Sequence, residues 1–161
     1  MGVWGMMRNT EKGFSLIELL IVVAVILIIA AFAIPNFVRS KMAANQASAV
    51  GSLRTMNTAC LAYSTTYGQF PTNLTDLGPI VSGGAPGSTS ADLIDSVLAS
   101  GIKSGYIFSF AAGTANQSYS ITARPISLGA TGQSMYFTDQ SGVIRADTSG
   151  SGASTASTPI G

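Results

Sequence analysis

One carboxylate stands in a place where carboxylates are seldom found. Glu18 lies in the run F-S-L-I-E-L-L-I-V-V-A-V-I-L-I-I-A-A-F-A-I-P from Phe14 to Pro35. From Leu19 to Ile34 sixteen consecutive residues are apolar. A helix over the 21 residues from Phe14 to Ile34 spans ~30 Å, the thickness of a bilayer's hydrocarbon core. A lone carboxylate in such a helix costs about 2.5–3.5 kcal/mol on insertion scales, so it marks a site with a partner. The chemistry on offer is ion pairing, and Glu18 sits four residues after Phe14, which becomes an N-terminus if the chain is cut after Gly13. Other reactive groups are few. The chain has no His, which removes the commonest general base and metal ligand. It also lacks a Gly-rich phosphate loop, a Cys cluster and a nucleophile elbow. No enzymatic activity is expected. The remaining oxygen donors that could gather on a cation are Asp139, Ser141 and Asp147. They miss the D-x-[DN]-x-[DN]-G calcium pattern.

A helix must carry Glu18, and it continues beyond the apolar run. After Pro35 no proline occurs until Pro71. Val38, Met42, Ala49, Leu53, Met56, Cys60, Tyr63 and Tyr67 follow one another at steps of three, four or seven, one stripe of an amphipathic helix. The spacing predicts a single helix of about fifty residues ending near Gly68, with Pro35 a kink point and Gly51 a second weak one. Ala91–Ser100 reads as a short helix with Ser90 as N-cap and Gly101 as C-cap. Tyr106–Phe110, Tyr119–Ile126, Met135–Thr138 and Val143–Arg145 read as strands. Their short connections predict an antiparallel meander packed on the helix. Thr148–Gly161 is mostly Ser, Thr, Gly and Ala, and disorder is expected there. The fold class is α+β: a long N-terminal helix, its first half transmembrane, on a small antiparallel sheet.

The leader and junction carry a family resemblance. A short basic segment ending in Gly13, the sequence F-S-L-I-E, the apolar helix and Pro35 together resemble the N-terminal signal of type IV prepilins and of type II secretion pseudopilins. Tyr67-Gly68-Gln69-Phe70-Pro71, followed by Leu74 and Leu77, also resembles the end of the long pilin helix. The resemblance implies a pilin-like fold and cleavage between Gly13 and Phe14 by a prepilin peptidase. It further implies N-methylation of Phe14, pairing of Glu18 with the Phe14 amine of a neighbouring subunit, and a homopolymer built by an inner-membrane platform protein and an assembly ATPase. Because major pseudopilins bind calcium in a C-terminal loop, it also brings calcium to Asp139, Ser141 and Asp147, although Asp139 reads equally as making an ordinary turn hydrogen bond at Gly142. Four segments result: 1–13 a cleaved leader, 14–35 the membrane and assembly helix, 36–147 a periplasmic globular domain, and 148–161 the tail.

Other readings stay open. Ala31-Phe32-Ala33 mimics a conventional signal cleavage site, and a plain membrane anchor would span equally well; neither explains Glu18. A membrane-anchored periplasmic binding module is the rival outside the family, and a pilus or a secretion pseudopilus are the alternatives within it. Arg8 and Lys12 before the span predict a cytoplasmic N-terminus, with the rest exported. From Phe14 onwards six Lys and Arg face six Asp and Glu, so no basic face for nucleic acid is expected. Cys60 is the sole cysteine. It cannot form the intrachain disulfide by which many pilins hold their C-terminal loop, and is expected in the core. Asn73-Leu74-Thr75 and Asn116-Gln117-Ser118 match the glycosylation triplet but read as turns.

Overall fold

The computed structural model describes residues 13–80 and 83–160. The expected leader, up to Lys12, and the final Gly161 lie outside the described residues. Helix α1 runs Leu16–Tyr67, as its periodicity predicts. It passes through Pro35, whose missing N–H leaves the carbonyl of Ala31 without its helical donor. Gly68 ends it with φ 74, and its N–H donates to the Ser64 carbonyl at 2.9 Å. This is the left-handed residue that commonly closes a helix.

The chain divides into two units, Met1–Phe37 and Val38–Gly161. In the described part of the first, the side chains of Phe14–Phe32 are open almost throughout. In the second, α1 buries Ala49, Ser52, Leu53, Met56, Ala59, Cys60 and Tyr63, the three-and-four spacing of one helix face. That face packs with Tyr106, Phe108, Tyr119, Ile121, Ala123, Tyr136 and Ile144 in one core. Most of these partners alternate along their strands. Tyr67, Phe70 and Phe110 pack against the same core from its edge, and Phe110 stacks on Tyr119 at 5.8 Å. Asn57 ties the helix to the sheet, donating to the Thr138 hydroxyl at 2.8 Å and accepting from the Tyr119 hydroxyl at 3.1 Å.

The sheet is a six-stranded antiparallel meander in sequence order. Its strands are β1 Ile102–Lys103, β2 Tyr106–Ala112, β3 Tyr119–Pro125, β4 Met135–Asp139, β5 Arg145–Asp147 and β6 Thr158–Pro159. β3 ends on Pro125, a residue that has no N–H for a further ladder bond. β1 and β6 are additions to the expected set, and β5 starts two residues later than its sequence suggests.

Two expectations are corrected. The helix expected over Ala91–Ser100 is only one turn, α2 Ser96–Ala99. Its cap is Asp95, whose carboxylate accepts from the Leu98 N–H at 2.8 Å, not Ser90. The reason is competition for donors. The N–H groups of Ala91, Asp92 and Ile94 are taken by the carbonyls of Asp76, Gly78 and Leu77 at 2.8, 2.9 and 3.0 Å, so no helical turn forms before Asp95. The tail expected to be disordered from Thr148 is ordered over its described residues. β6 pairs with Arg145 and Ala146, the Arg145 guanidinium donates to the Ser157 carbonyl at 3.2 Å, and the Ile160 N–H donates to Ile144 at 2.8 Å while its side chain packs on the core. One apolar residue near the end and an available sheet edge suffice to hold an otherwise polar segment.

Candidate processing and assembly site

Gly13, Phe14 and Ser15 precede the helix in non-helical conformation, and Phe14 is 80% exposed. The peptide bond between Gly13 and Phe14 therefore lies outside the helical hydrogen-bond ladder, where a peptidase needs an extended chain. A Cβ on Gly13 would meet nothing within 4 Å in this chain. Any demand for glycine at that position comes from outside the molecule.

Glu18 lies in the first turn of α1, and its carboxylate accepts a hydrogen bond from the Ser15 N–H at 2.9 Å. The Leu19 N–H in turn donates to the Ser15 carbonyl at 3.2 Å. Ser15 is thus the N-cap and Glu18 the third helical residue, whose side chain reaches back to the cap's backbone as in a capping box. A carboxylate there also meets the positive end of the helix dipole. This role was missed in the sequence, though the S-x-x-E spacing of Ser15-Leu16-Ile17-Glu18 carried the signal. Past Glu18, α1 is long and apolar enough to cross a membrane, and none of its most apolar window is buried within the chain.

The calcium candidates are not brought together. β4 and β5 are antiparallel with Met135 opposite Asp147, whereas Asp139 lies four residues further along β4, opposite Ser120. At strand rise this separates the two aspartates by about 14 Å, and calcium holds its oxygens at 2.3–2.6 Å. Each is occupied locally. Asp139 accepts from the N–H of Ser141 at 2.9 Å and from its hydroxyl at 2.5 Å, while the Gly142 N–H closes the turn on the Asp139 carbonyl. Asp147 accepts from the Ser149 hydroxyl and N–H at 2.7 and 2.9 Å and from the Gly152 N–H at 2.9 Å. These bonds, that of the Ser149 hydroxyl first, hold its carboxyl below the usual range. Asp139, Ser141 and Asp147 do not fit one ion. Among the described residues no three His, Cys, Asp or Glu side chains cluster as a metal site would require. Asn73 and Asn116, the two glycosylation triplets, fall in turns, Asn73 just before the 3-10 turn Leu74–Leu77 and Asn116, at φ 54, at the end of a second 3-10 turn, Thr114–Asn116, between β2 and β3.

Residues 8–34 match the family model described as the prokaryotic N-terminal methylation motif. The chain is 49% identical over 49 residues to the type IV major pilin protein PilA of Myxococcus xanthus, covering 30% of this chain and 22% of that protein. It is 45% identical over 58 residues to the type IV major fimbrial protein FimA of Dichelobacter nodosus, covering 34% of this chain and 37% of that one. It is 35% identical over 72 residues to a fimbrial protein of Neisseria meningitidis, covering 45% of this chain and 42% of that one. The matched part is thus less than half the length of each of these relatives. Methylation motif, N-terminal similarity and a long helix packed on an antiparallel sheet agree with one another, and over its N-terminal part the chain is similar to type IV pilins.

Proposed function

We propose that the chain is the structural subunit of a type IV pilus-like filament. It waits in the inner membrane with its N-terminus in the cytoplasm. A prepilin peptidase cuts between Gly13 and Phe14 and methylates the Phe14 amine, and a platform protein and an assembly ATPase then extract the subunit into a periplasmic or extracellular fibre. The observation that carries this reading is the methylation motif over residues 8–34, with Glu18 at the head of an apolar helix that its own chain leaves open. Moving such a helix from lipid into a bundle gains little from hydrophobicity, so packing and polar contacts select the register. The pairing of Glu18 with the next subunit's Phe14 amine supplies that selection, because neither charge is tolerable alone in an apolar core. Pro35 provides a point where the helix yields during packing. The chain's role is structural, with no catalysis and no resident metal.

Mass spectrometry of the protein from filaments tests this. The expected mass is that of a chain beginning at methylated Phe14; a chain still carrying residues 1–13 defeats the reading. A secretion pseudopilus is the second reading, and the single cysteine favours it, since no disulfide closes the C-terminal loop. The pilin and fimbrial names of the relatives favour the pilus.

A further inference from the structure

The end of the globular unit at which α1 enters carries two cations that nothing in the chain answers. Arg39 and Lys41 are exposed there, and neither has a hydrogen bond or ion pair among the described residues. No acid stands in the chain between Glu18 and Asp76, so no nearby carboxylate of α1 faces them. Of the acids further on, Asp95 is paired with Lys103 at 2.9 Å. Asp76, Asp139 and Asp147 accept from the N–H and hydroxyl groups of their own turns.

The fold brings an uncharged rim to the same end. One turn beyond Lys41, the Asn45 side-chain amide donates to the Thr131 carbonyl at 2.9 Å, and the Ser48 hydroxyl donates to that of Ser104 at 2.8 Å. These bonds hold the 127–134 loop and the turn between β1 and β2 against α1. The loop has no charged residue, and Ile126 and Leu128 at its start are 53% and 55% exposed. Unpaired cations beside exposed aliphatic side chains are the composition of a surface that lies on anionic lipid. Position along the chain agrees. Arg39 and Lys41 come five and seven residues after Ile34, where the apolar run ends. At helical rise that is about 7–10 Å further on, and the headgroup layer outside the hydrocarbon core is about 5–8 Å deep, within reach of two long side chains. A carboxylate of another protein has no reason to recur at that depth, whereas lipid phosphates form a continuous layer there. Cations just past a span on the exported side also run against the usual bias, a placement that a local anion offsets.

We propose that this end of the globular unit docks on anionic phospholipid, with Arg39 and Lys41 holding headgroup phosphates. The inference rests on the membrane storage contained in the filament reading and adds to it a hold that extraction into a fibre has to break. Arg supplies a planar fork matched to phosphate oxygens and Lys a compact charge, and neither has to give up a partner within the chain to do so.

Native mass spectrometry of the full-length chain, released from nanodiscs of equal phosphatidylglycerol and phosphatidylcholine, tests it. The lipid retained by the wild-type chain is expected to be several-fold richer in phosphatidylglycerol than the disc. Arg39→Gln/Lys41→Gln should lose most of that enrichment, whereas the charge-keeping Arg39→Lys/Lys41→Arg and the leader variant Arg8→Gln/Lys12→Gln should keep most of it. Enrichment unchanged by Arg39→Gln/Lys41→Gln, or lost only with Arg8→Gln/Lys12→Gln, overturns the inference. Loss of enrichment in the charge-keeping exchange overturns it too. Alkaline carbonate separates this outcome from the parent reading. A wild-type chain that carbonate strips from membranes defeats membrane storage itself, while one that resists carbonate yet retains both lipids equally defeats the lipid contact alone.

Discussion

Glu18 caps α1, and the proposed assembly would give it a second role that a substitution series separates from the first. As a cap it needs a side-chain oxygen at hydrogen-bond reach of Ser15, which Gln supplies; as an ion-pair partner it needs charge, which Gln lacks. Both Glu18→Gln and Glu18→Leu are expected to insert and be processed, and both to lose most of the filament yield in sheared preparations. Normal yield from Glu18→Gln would show that capping, not charge, is what assembly uses. At Asp95 the side chain of Lys103 donates a 2.9 Å hydrogen bond, and that bond, ahead of the one from the Leu98 backbone, lowers the carboxyl's pKa. A depressed carboxyl contributes stability above its unfolded pKa and loses it as pH falls through the folded one. The exposed position keeps the effect small. Asp95→Ala should cost about 1 kcal/mol for the lost helix cap at neutral pH, and the gap from wild type should shrink in denaturant titrations as pH falls below the ordinary aspartate range.

α1 illustrates how far an element is written in its own residues. Its apolar stripe, the absence of further proline and a terminal Gly68 lie within the element, and its observed bounds follow them. The helix also carries a weakness that its environment does not require. A Cβ at Gly51 would meet nothing within 4 Å, and the residue is exposed in mid-helix. Gly51→Ala should therefore stabilise the chain by about 1 kcal/mol, measured by chemical denaturation. No gain would mean that the glycine is not limiting helix stability there. Sheet elements were less legible at their margins. β3 announces itself by alternation of Tyr119, Ile121 and Ala123 with Ser120, Thr122 and Arg124, and β2 and β4 by their aromatic and β-branched residues. β1 and β6 have two residues each, too few for any period, and exist because a neighbouring strand offers an edge.

For the whole molecule, burial of ionisable groups on the inner face of the sheet and helix predicts sensitivity to base. Desolvation pushes the Cys60 thiol up to about 12 and raises Tyr106 and Tyr119 as well. Each group ionises in the unfolded chain before it can in the folded one. Their contribution is thus fully present below the unfolded values and is lost as pH rises through the folded ones, which places the fall in stability above about pH 9. Alkylation of Cys60 at pH 8 should track global unfolding, with labelling in native protein negligible; rapid native labelling would contradict its burial.

The apolar helix with its one acid, the length of α1 and the central strands could all be read from the chain alone, because each depends on residues within a few turns of one another. The tertiary structure decided what happens between segments far apart in sequence. It shortened the 91–100 helix by giving its first donors to carbonyls at 76–78. It set Asp147 at the opposite end of β4 from Asp139, and it drew the Ser- and Gly-rich tail onto β5. Hydrogen-bond partners of that kind exist only once the sheet has assembled, so local composition holds no signal for them.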